Sequence, residues 1–206
     1  MTELLMRGAV VTGANRGIGK AVALAYLRAG WPVTAVLRTA ESAAALRREA
    51  GEHAARLFLT TADLADAAQV EALGAELAGR DPVPGVLVNN AGVELSAPLQ
   101  GTTLAELQRV LAINTVAPYL LCRALIPAMV QEGGGRVVNI GSIASLKGIR
   151  YTSAYCASKH ALLGLTRALA VEWATRLTVT PFDAHSTARA RVSPSRACFE
   201  AQYADV

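Results

Sequence analysis

The sequence predicts an α/β fold, a doubly wound parallel sheet with helices on both faces. Three observations predict it. Short continuous runs of Val, Leu and Ile alternate with longer amphipathic stretches from Ala9 onward, and such runs are what strands buried on both faces look like. The links between runs and stretches are short, which makes βαβ units with right-handed crossovers. A glycine-rich turn joins the first run to the first amphipathic stretch.

Taken in order, Ala9–Thr12 reads as a short buried strand. Gly17–Gly30 follows as a helix whose Ile18, Val22, Ala25, Leu27 and Ala29 give a mostly apolar face. Val33–Leu37 is a second strand and Ala40–Ala50 a second helix. Leu57–Leu59 and Ala65–Ala78 repeat the unit, as do Val86–Val88 and a long helix between Leu104 and Val130. Arg136–Ile140 is a fifth strand, Ser153–Thr175 a long apolar helix, and Leu177–Thr180 a sixth short strand. No repeat and no Pro- or Ser-rich linker divides this region, so residues 1–180 read as one domain. Residues 181–206 are rich in Ser, Arg, Ala and Pro and keep neither period. They read as an atypical, poorly ordered tail.

Composition agrees. Of 206 residues, 52% are hydrophobic and 17% charged, which excludes an intrinsically disordered chain. A domain of this size buries roughly 70% of its unfolded surface. Mean hydropathy is high, at +0.32, yet no run of about 18 uncharged apolar residues occurs. The most apolar stretch, Val116–Val130, contains Arg123, Pro118 and Pro127. The N-terminus lacks a basic region followed by an apolar core, so neither a membrane span nor a secretory signal is expected. Cys122, Cys156 and Cys198 are odd in number and far apart. They point to free thiols in a reducing compartment, the cytoplasm, and to no metal site. The net charge of +4 is scattered, without a basic tract interleaved with aromatics. That argues against a nucleic-acid partner and fits anionic small molecules.

Residues 12–19 read Thr12-Gly13-Ala14-Asn15-Arg16-Gly17-Ile18-Gly19, after a strand and opening a helix. Glycines there let backbone amides approach a pyrophosphate, and the helix N-terminus adds free N–H groups and a positive dipole end. Alone, the turn fits a tight strand-to-helix connection equally well. Three further motifs follow: Asn89-Asn90-Ala91-Gly92 after the fourth strand, Asn114 in the context Ile-Asn-Thr, and Ser142 followed by Tyr155-Cys156-Ala157-Ser158-Lys159. Together, and in this order, they resemble the short-chain dehydrogenase/reductase family, across residues 8–175. The stretch around Tyr155 looks like that of 3-oxoacyl-[acyl-carrier-protein] reductases and related ketoreductases.

The chemistry of the Tyr-Lys pair can be argued on its own. Tyr155 and Lys159 are i and i+4 on one helix and share a face. An ammonium near a phenol favours the phenolate, and such a phenol can give a proton to a carbonyl oxygen or take one from an alcohol. Ser142 would hold the substrate oxygen near Tyr155; a serine ending a strand is also ordinary turn chemistry. Asn114 sits mid-helix, where its propensity is unfavourable. The resemblance implies Asn114, Ser142, Tyr155 and Lys159 as the catalytic residues. It also implies that the asparagine goes with a helix kink and orders a water linked to the lysine. It implies a Rossmann-like cofactor site made by Gly13, Asn15, Arg16, Gly17, Ile18, Gly19, Asn90, Ala91, Gly92, Tyr155 and Lys159. His53, His160 and His185 lie in unrelated contexts, with His160 read as a surface or packing residue.

Cofactor choice follows from the second strand. NAD binders carry an acid at its end, for the ribose hydroxyls, whereas an arginine there suits the dianionic 2′-phosphate. Here Arg38 follows Leu37 and no acid occurs before Glu41. With Arg16 in the turn, two guanidinium groups predict NADP(H). Asp63 and Leu64 resemble the family's adenine-side residues, although Asp63 could equally cap the following helix. NADPH tilts the reaction toward reducing a ketone, in a small-molecule or carrier-bound carbonyl substrate. An NADP-linked alcohol or sugar dehydrogenase, and a cofactor-binding protein with little turnover, are the other readings.

The chain departs from the family after the last long helix. The family continues with a Pro-Gly on the nicotinamide side, a substrate-covering segment and a seventh strand. Leu177–Pro181 matches only the start of this. A short variant with its own cover, a truncated or frameshifted product, and a site covered by a partner subunit all fit. The family packs its two long helices into homodimers or homotetramers. Ala161, Leu162, Leu163, Leu165, Leu169, Val171 and Trp173 suit either that interface or burial against the sheet.

Overall fold

The computed structural model describes residues 7–182. Six parallel strands form one sheet in the order β3-β2-β1-β4-β5-β6. They are β1 (Ala9–Thr12), β2 (Val33–Leu37), β3 (Leu57–Thr61), β4 (Val86–Asn89), β5 (Arg136–Ile140) and β6 (Thr178–Phe182). The helices are α1 (Gly17–Arg28), α2 (Glu41–Ala50), α3 (Ala67–Ala78), α4 (Leu104–Leu111), α5 (Ala117–Gln131) and α6 (Ser153–Trp173).

Two apolar layers explain the arrangement, because alternate strand residues point to opposite faces. Val10, Val36, Leu87, Val137 and Val179 pack with α3, α5 and part of α6. Ala9, Val11, Val33, Ala35, Leu37, Val86 and Val88 pack with α1 and α2. The chain runs outward from β1 to β3 and restarts at β4 on the other side. The switch point therefore lies between β1 and β4, where the carboxyl ends of two strands diverge and leave a crevice.

Several expectations change in detail. The helix predicted across residues 104–130 is interrupted by a π turn, Ala112–Val116, which joins α4 to α5. By length and composition Leu104–Gln131 resembles a membrane span, but 56% of its most apolar window is buried inside the domain. The third helix starts at Ala67 because Asp66, not Asp63, is its N-cap: the Asp66 carboxylate accepts from the N–H groups of Ala68 and Gln69. Strand β6 runs through Pro181 to Phe182 and pairs only with β5 among the described residues. An edge strand tolerates a proline because one side of it makes no ladder bonds. The tail expected over residues 181–206 therefore begins as strand at Pro181 and Phe182; its remainder, and the expectation that a seventh strand is lacking, fall outside the described residues.

Candidate active site

The glycine-rich turn follows β1, and the Asn89–Gly92 motif leaves β4 beside it. Thr12 fastens the two together. Its hydroxyl oxygen accepts from the N–H groups of Asn90 and Ala91, both at 3.0 Å. The Asn90 side-chain amide donates back to the carbonyls of Thr12 at 2.9 Å and Gly13 at 3.2 Å. This contact decides two of the glycines. A Cβ on Gly13 would stand 2.9 Å from the Ala91 Cα, and one on Gly19 would meet the Asn90 amide and sit 2.5 Å from the Gly13 carbonyl oxygen. Gly13 and Gly17 both have left-handed backbone, at φ +65° and +56°, but a Cβ on Gly17 would meet nothing within 4 Å. Gly19 serves internal packing, Gly13 serves packing and a left-handed backbone, and Gly17 serves a left-handed backbone at an open ledge.

That ledge suits an anion. Asn15, Arg16, Gly17 and Ile18 are all exposed at the start of α1. Arg16 is the N-cap residue and its side chain caps no amide, so the first-turn N–H groups keep their capacity for an external acceptor. Arg38 is exposed immediately after β2, the strand paired with β1. Neither arginine pairs with a carboxylate among the described residues. After β3, the Asp63 carboxylate accepts from the Ala65 N–H at 3.0 Å, and Leu64 packs against the core under α3. Glycines a side chain would fill, free helix-start amides and two available guanidinium groups together fit a dinucleotide carrying an extra phosphate.

The other expected residues converge at the ends of β4 and β5. Asn114 lies inside the π turn and is 1% exposed. Its amide oxygen accepts from the Val93 N–H at 2.9 Å; its amide nitrogen donates to the Val93 carbonyl at 2.9 Å and to Ser158 Oγ at 3.0 Å. The side chain thus clamps the segment after Gly92 to α6. The Thr115 hydroxyl donates to the Ser158 carbonyl at 3.0 Å and fastens the same turn. One extra residue per turn is what lets an asparagine and a threonine point together at α6, and π turns gather at functional sites for this reason.

Lys159 is 4% exposed, and its Nζ donates to the Ile140 carbonyl at 2.8 Å. The same Nζ stands 5.9 Å from the centre of the Tyr155 ring. Gly92 closes the group: a Cβ there would lie 3.4 Å from the Asn114 amide oxygen and 3.7 Å from Lys159 Nζ. Tyr155 is half-buried. Ser142 caps the 3-10 turn Ile143–Ser145, its oxygen accepting from the Ala144 N–H at 3.1 Å. The hydroxyl hydrogen of Ser142 has no acceptor among the described residues and is available to another oxygen.

Sequence reasoning missed the supporting shell. Thr12 and Ser158 are both buried and both hold motif residues in place. The signal for each was a small hydroxyl inside an apolar element directly beside a motif residue. Behind them runs a buried chain in which the Asn89 amide donates to Asn139 at 2.8 Å and the Asn139 amide donates to Thr166 at 2.9 Å. Asn89 also donates toward Cys122 Sγ at 3.6 Å. Burial pushes the Cys122 thiol up to about 12, partly offset by that amide. His160 is exposed on α6, its ring nitrogen 2.9 Å from the Cys156 carbonyl, as a surface residue.

Comparison with known proteins agrees with this geometry. The short chain dehydrogenase family model matches residues 7–185. The D-threitol dehydrogenase of Mycolicibacterium smegmatis is 39% identical, over 82% of this chain and 65% of its own length. The ketoacyl reductase HetN of Nostoc sp. is 34% identical, over 84% of this chain and 60% of its own length. The chain therefore spans less than two thirds of the length of these curated relatives. A crystal structure assigned as an NAD(P) dependent gluconate 5-dehydrogenase from Beutenbergia cavernae, with NADP at low occupancy, superposes with a TM-score of 0.81. It is 43% identical, over 86% of this chain and 71% of that one. Motif order, sheet order and these likenesses agree, and the chain belongs to the short chain dehydrogenase family.

Proposed function

We propose that this chain is an NADP(H)-dependent oxidoreductase that interconverts a ketone and its secondary alcohol, with reduction the working direction. The observation that carries this is the convergence of Gly92, Asn114, Tyr155 and Lys159 beside an open, arginine-flanked helix start. The ledge of Asn15, Arg16, Gly17 and Ile18 binds the cofactor phosphates, and Arg38 with Arg16 selects the 2′-phosphate form. Gly13, Gly19, Asn90 and Ala91 shape that ledge, Gly92 would hold the nicotinamide end, and Asp63 and Leu64 would hold the adenine. The bound nicotinamide supplies the hydride.

The chain's residues supply the rest. Ser142 donates its uncommitted hydroxyl hydrogen to the substrate carbonyl oxygen. The Tyr155 hydroxyl delivers the proton to that oxygen as negative charge develops on it. The Lys159 ammonium, buried beside the Tyr155 ring, stabilises the charge left on the phenol oxygen. Asn114 fixes the distance between the Val93 segment and α6, so that these groups keep their spacing.

A 3-oxoacyl thioester is the substrate suggested by the stretch around Tyr155. A sugar or polyol alcohol is a second reading, favoured by the D-threitol and gluconate names of the relatives above. Residues 1–180 with the start of β6 form the catalytic domain in this reading, and the free thiols Cys122 and Cys156 suit the cytoplasm. Copies pair through the outer faces of α5 and α6 into a dimer or tetramer. Of the apolar side chains of α6, Leu162 is buried and Leu169 and Trp173 pack against the core, whereas Leu163 and Leu165 are half-buried. Small residues, Ala157, Ala161, Gly164 and Ala168, are exposed on α6 beside Val171. Small residues let two helices approach closely.

The test is a fluorescence titration with NADPH and with NADH, followed by NADPH oxidation with acetoacetyl thioesters and with ketoses. NADPH-selective binding is expected. Tyr155→Phe should keep that binding and lose about 10²–10⁴-fold in turnover. Undiminished turnover in this variant overturns the assigned proton donor, and no binding of either nucleotide overturns the cofactor site.

A further inference from the structure

The segment linking Ser142 to Tyr155 carries a feature that fold and proton transfer leave unexplained. Tyr151 has φ +63°, the one non-glycine residue in the left-handed region among the described residues. It is the third residue of a turn closed by Thr152, whose N–H and hydroxyl both donate to the Ile149 carbonyl, at 3.3 and 2.9 Å. That place in a turn favours glycine or asparagine, and a bulky residue there is strained. The backbone is locked all the same: the Ala97 N–H donates to the Tyr151 carbonyl at 2.7 Å, tying the loop after β4 to the start of α6. The ring is half exposed, and the Arg150 guanidinium lies 4.6 Å above its centre. Stacking of this kind orients a guanidinium before any ligand arrives.

The charge pattern gives the stacked arginine a purpose. No Asp or Glu occurs from Gly133 to Val171, a stretch that holds Arg136, Lys147, Arg150, Lys159 and Arg167. Glu94 is the one acid on the facing loop from Asn90 to Thr103, and it pairs with neither Lys147 nor Arg150. Lys147 lies against the first turn of α6, its carbonyl 3.8 Å from the sulfur of Cys156, the residue after Tyr155. Both cations are exposed on the segment that links Ser142 to Tyr155.

We propose that Arg150, held over the Tyr151 ring, is a specificity-determining residue that binds an anionic group of the carbonyl substrate, with Lys147 adding attraction. This rests on the Ser142–Tyr155 site proposed above. The anion is the carboxylate of an oxo acid or a phosphate of a coenzyme A thioester. No bond is made or broken by either cation.

Two matched pairs test it. The first is 4-oxopentanoate against its methyl ester; the second is acetoacetyl-coenzyme A against the neutral N-acetylcysteamine thioester. The wild-type chain should prefer the charged member of one pair by about tenfold or more in kcat/KM, carried by KM. The pair that responds identifies the anion. Arg150→Gln should erase the preference and leave the neutral member unchanged, and Lys147→Gln should weaken it less. Tyr151→Gly accepts φ +63°, so it should melt no lower than wild type and still lose part of the preference. Equal use of charged and neutral members in both pairs overturns the proposal, as does an equal loss for both members in Arg150→Gln. Calorimetric binding to the NADP⁺-loaded protein separates the two levels. Charge-selective, Arg150-dependent binding without turnover upholds this site and fails the proposed reaction, whereas turnover without charge preference does the reverse.

Discussion

The turn after β1 and the ends of α4 and α6 do comparable work by opposite means. At the turn, function depends on the absence of side chains: Gly13 and Gly19 leave room for Asn90 and Ala91, and Gly17 leaves the ledge open. At the π turn and α6, it depends on polar side chains held without freedom, with Asn114, Ser158 and Lys159 all buried and hydrogen-bonded. The first region binds through backbone and shape, so substitution there should damage folding and cofactor binding together. The second acts through named atoms, so its half-buried members, Ser142 and Tyr155, should be separable from folding.

Gly19→Ala tests the first half of that contrast and has the largest expected effect. In an ordinary helix the change is favourable by about 1 kcal/mol. Here the new methyl faces a backbone carbonyl at 2.5 Å and the Asn90 amide, which holds the two turns together. Forcing them apart should cost about 1–3 kcal/mol and abolish NADPH binding. A variant that melts no lower and binds NADPH normally would show that the glycine is there for another reason.

Asn114→Ala probes the second region where structure and chemistry are hardest to separate. It strands the Val93 N–H and carbonyl, at about 1–3 kcal/mol for a buried unsatisfied group, and removes one donor from Ser158, whose hydroxyl keeps its own bond to the Tyr155 carbonyl. Thermal melting should fall while NADPH still binds, because the ledge at α1 is untouched. Unchanged melting would mean that the clamp on Val93 is not formed.

Arg38→Asp should act on neither region's folding. The side chain is exposed and unpaired among the described residues. Loss of one charge-assisted contact and gain of a repulsion should shift preference from NADPH toward NADH by about tenfold or more. A starting protein that uses both nucleotides equally removes the basis for this assignment.

The contrast also explains what was legible in the sequence. Strand periods gave β1, β2 and β5 with their observed limits, because strands buried on both faces leave continuous apolar runs. The glycine turn and the Tyr155–Lys159 pair were visible as spacings. The purpose of the glycines was not, because the neighbour that excludes a Cβ at Gly19 is Asn90, distant in sequence. Periodicity did not show the π turn, since one residue more per turn leaves the apolar pattern almost unchanged; Asn114 marked the place as a residue ill suited to a helix, and the family resemblance implied a kink there. Asp63 and Asp66 are equivalent in composition, and only the chain path after β3 gives the cap to Asp66.

That cap supplies the smallest effect and a last comparison, between two helix starts. The first turn of α1 receives no side-chain cap, whereas that of α3 is closed by Asp66. An external anion has a place at the first and none at the second. The Asp66 carboxyl is held below the usual carboxylate range, first by the Gln69 side-chain amide, then by the Gln69 and Ala68 N–H groups. A value lowered by folding means that the charged form stabilises the fold above the unfolded carboxylate value of about 3.9. That contribution fades as pH falls through the lower folded value. Asp66→Ala should therefore melt below wild type at pH 7, with the gap narrowing once the pH drops beneath about 4. A gap as wide at pH 3 as at pH 7 would assign the cap's effect to something other than its charge.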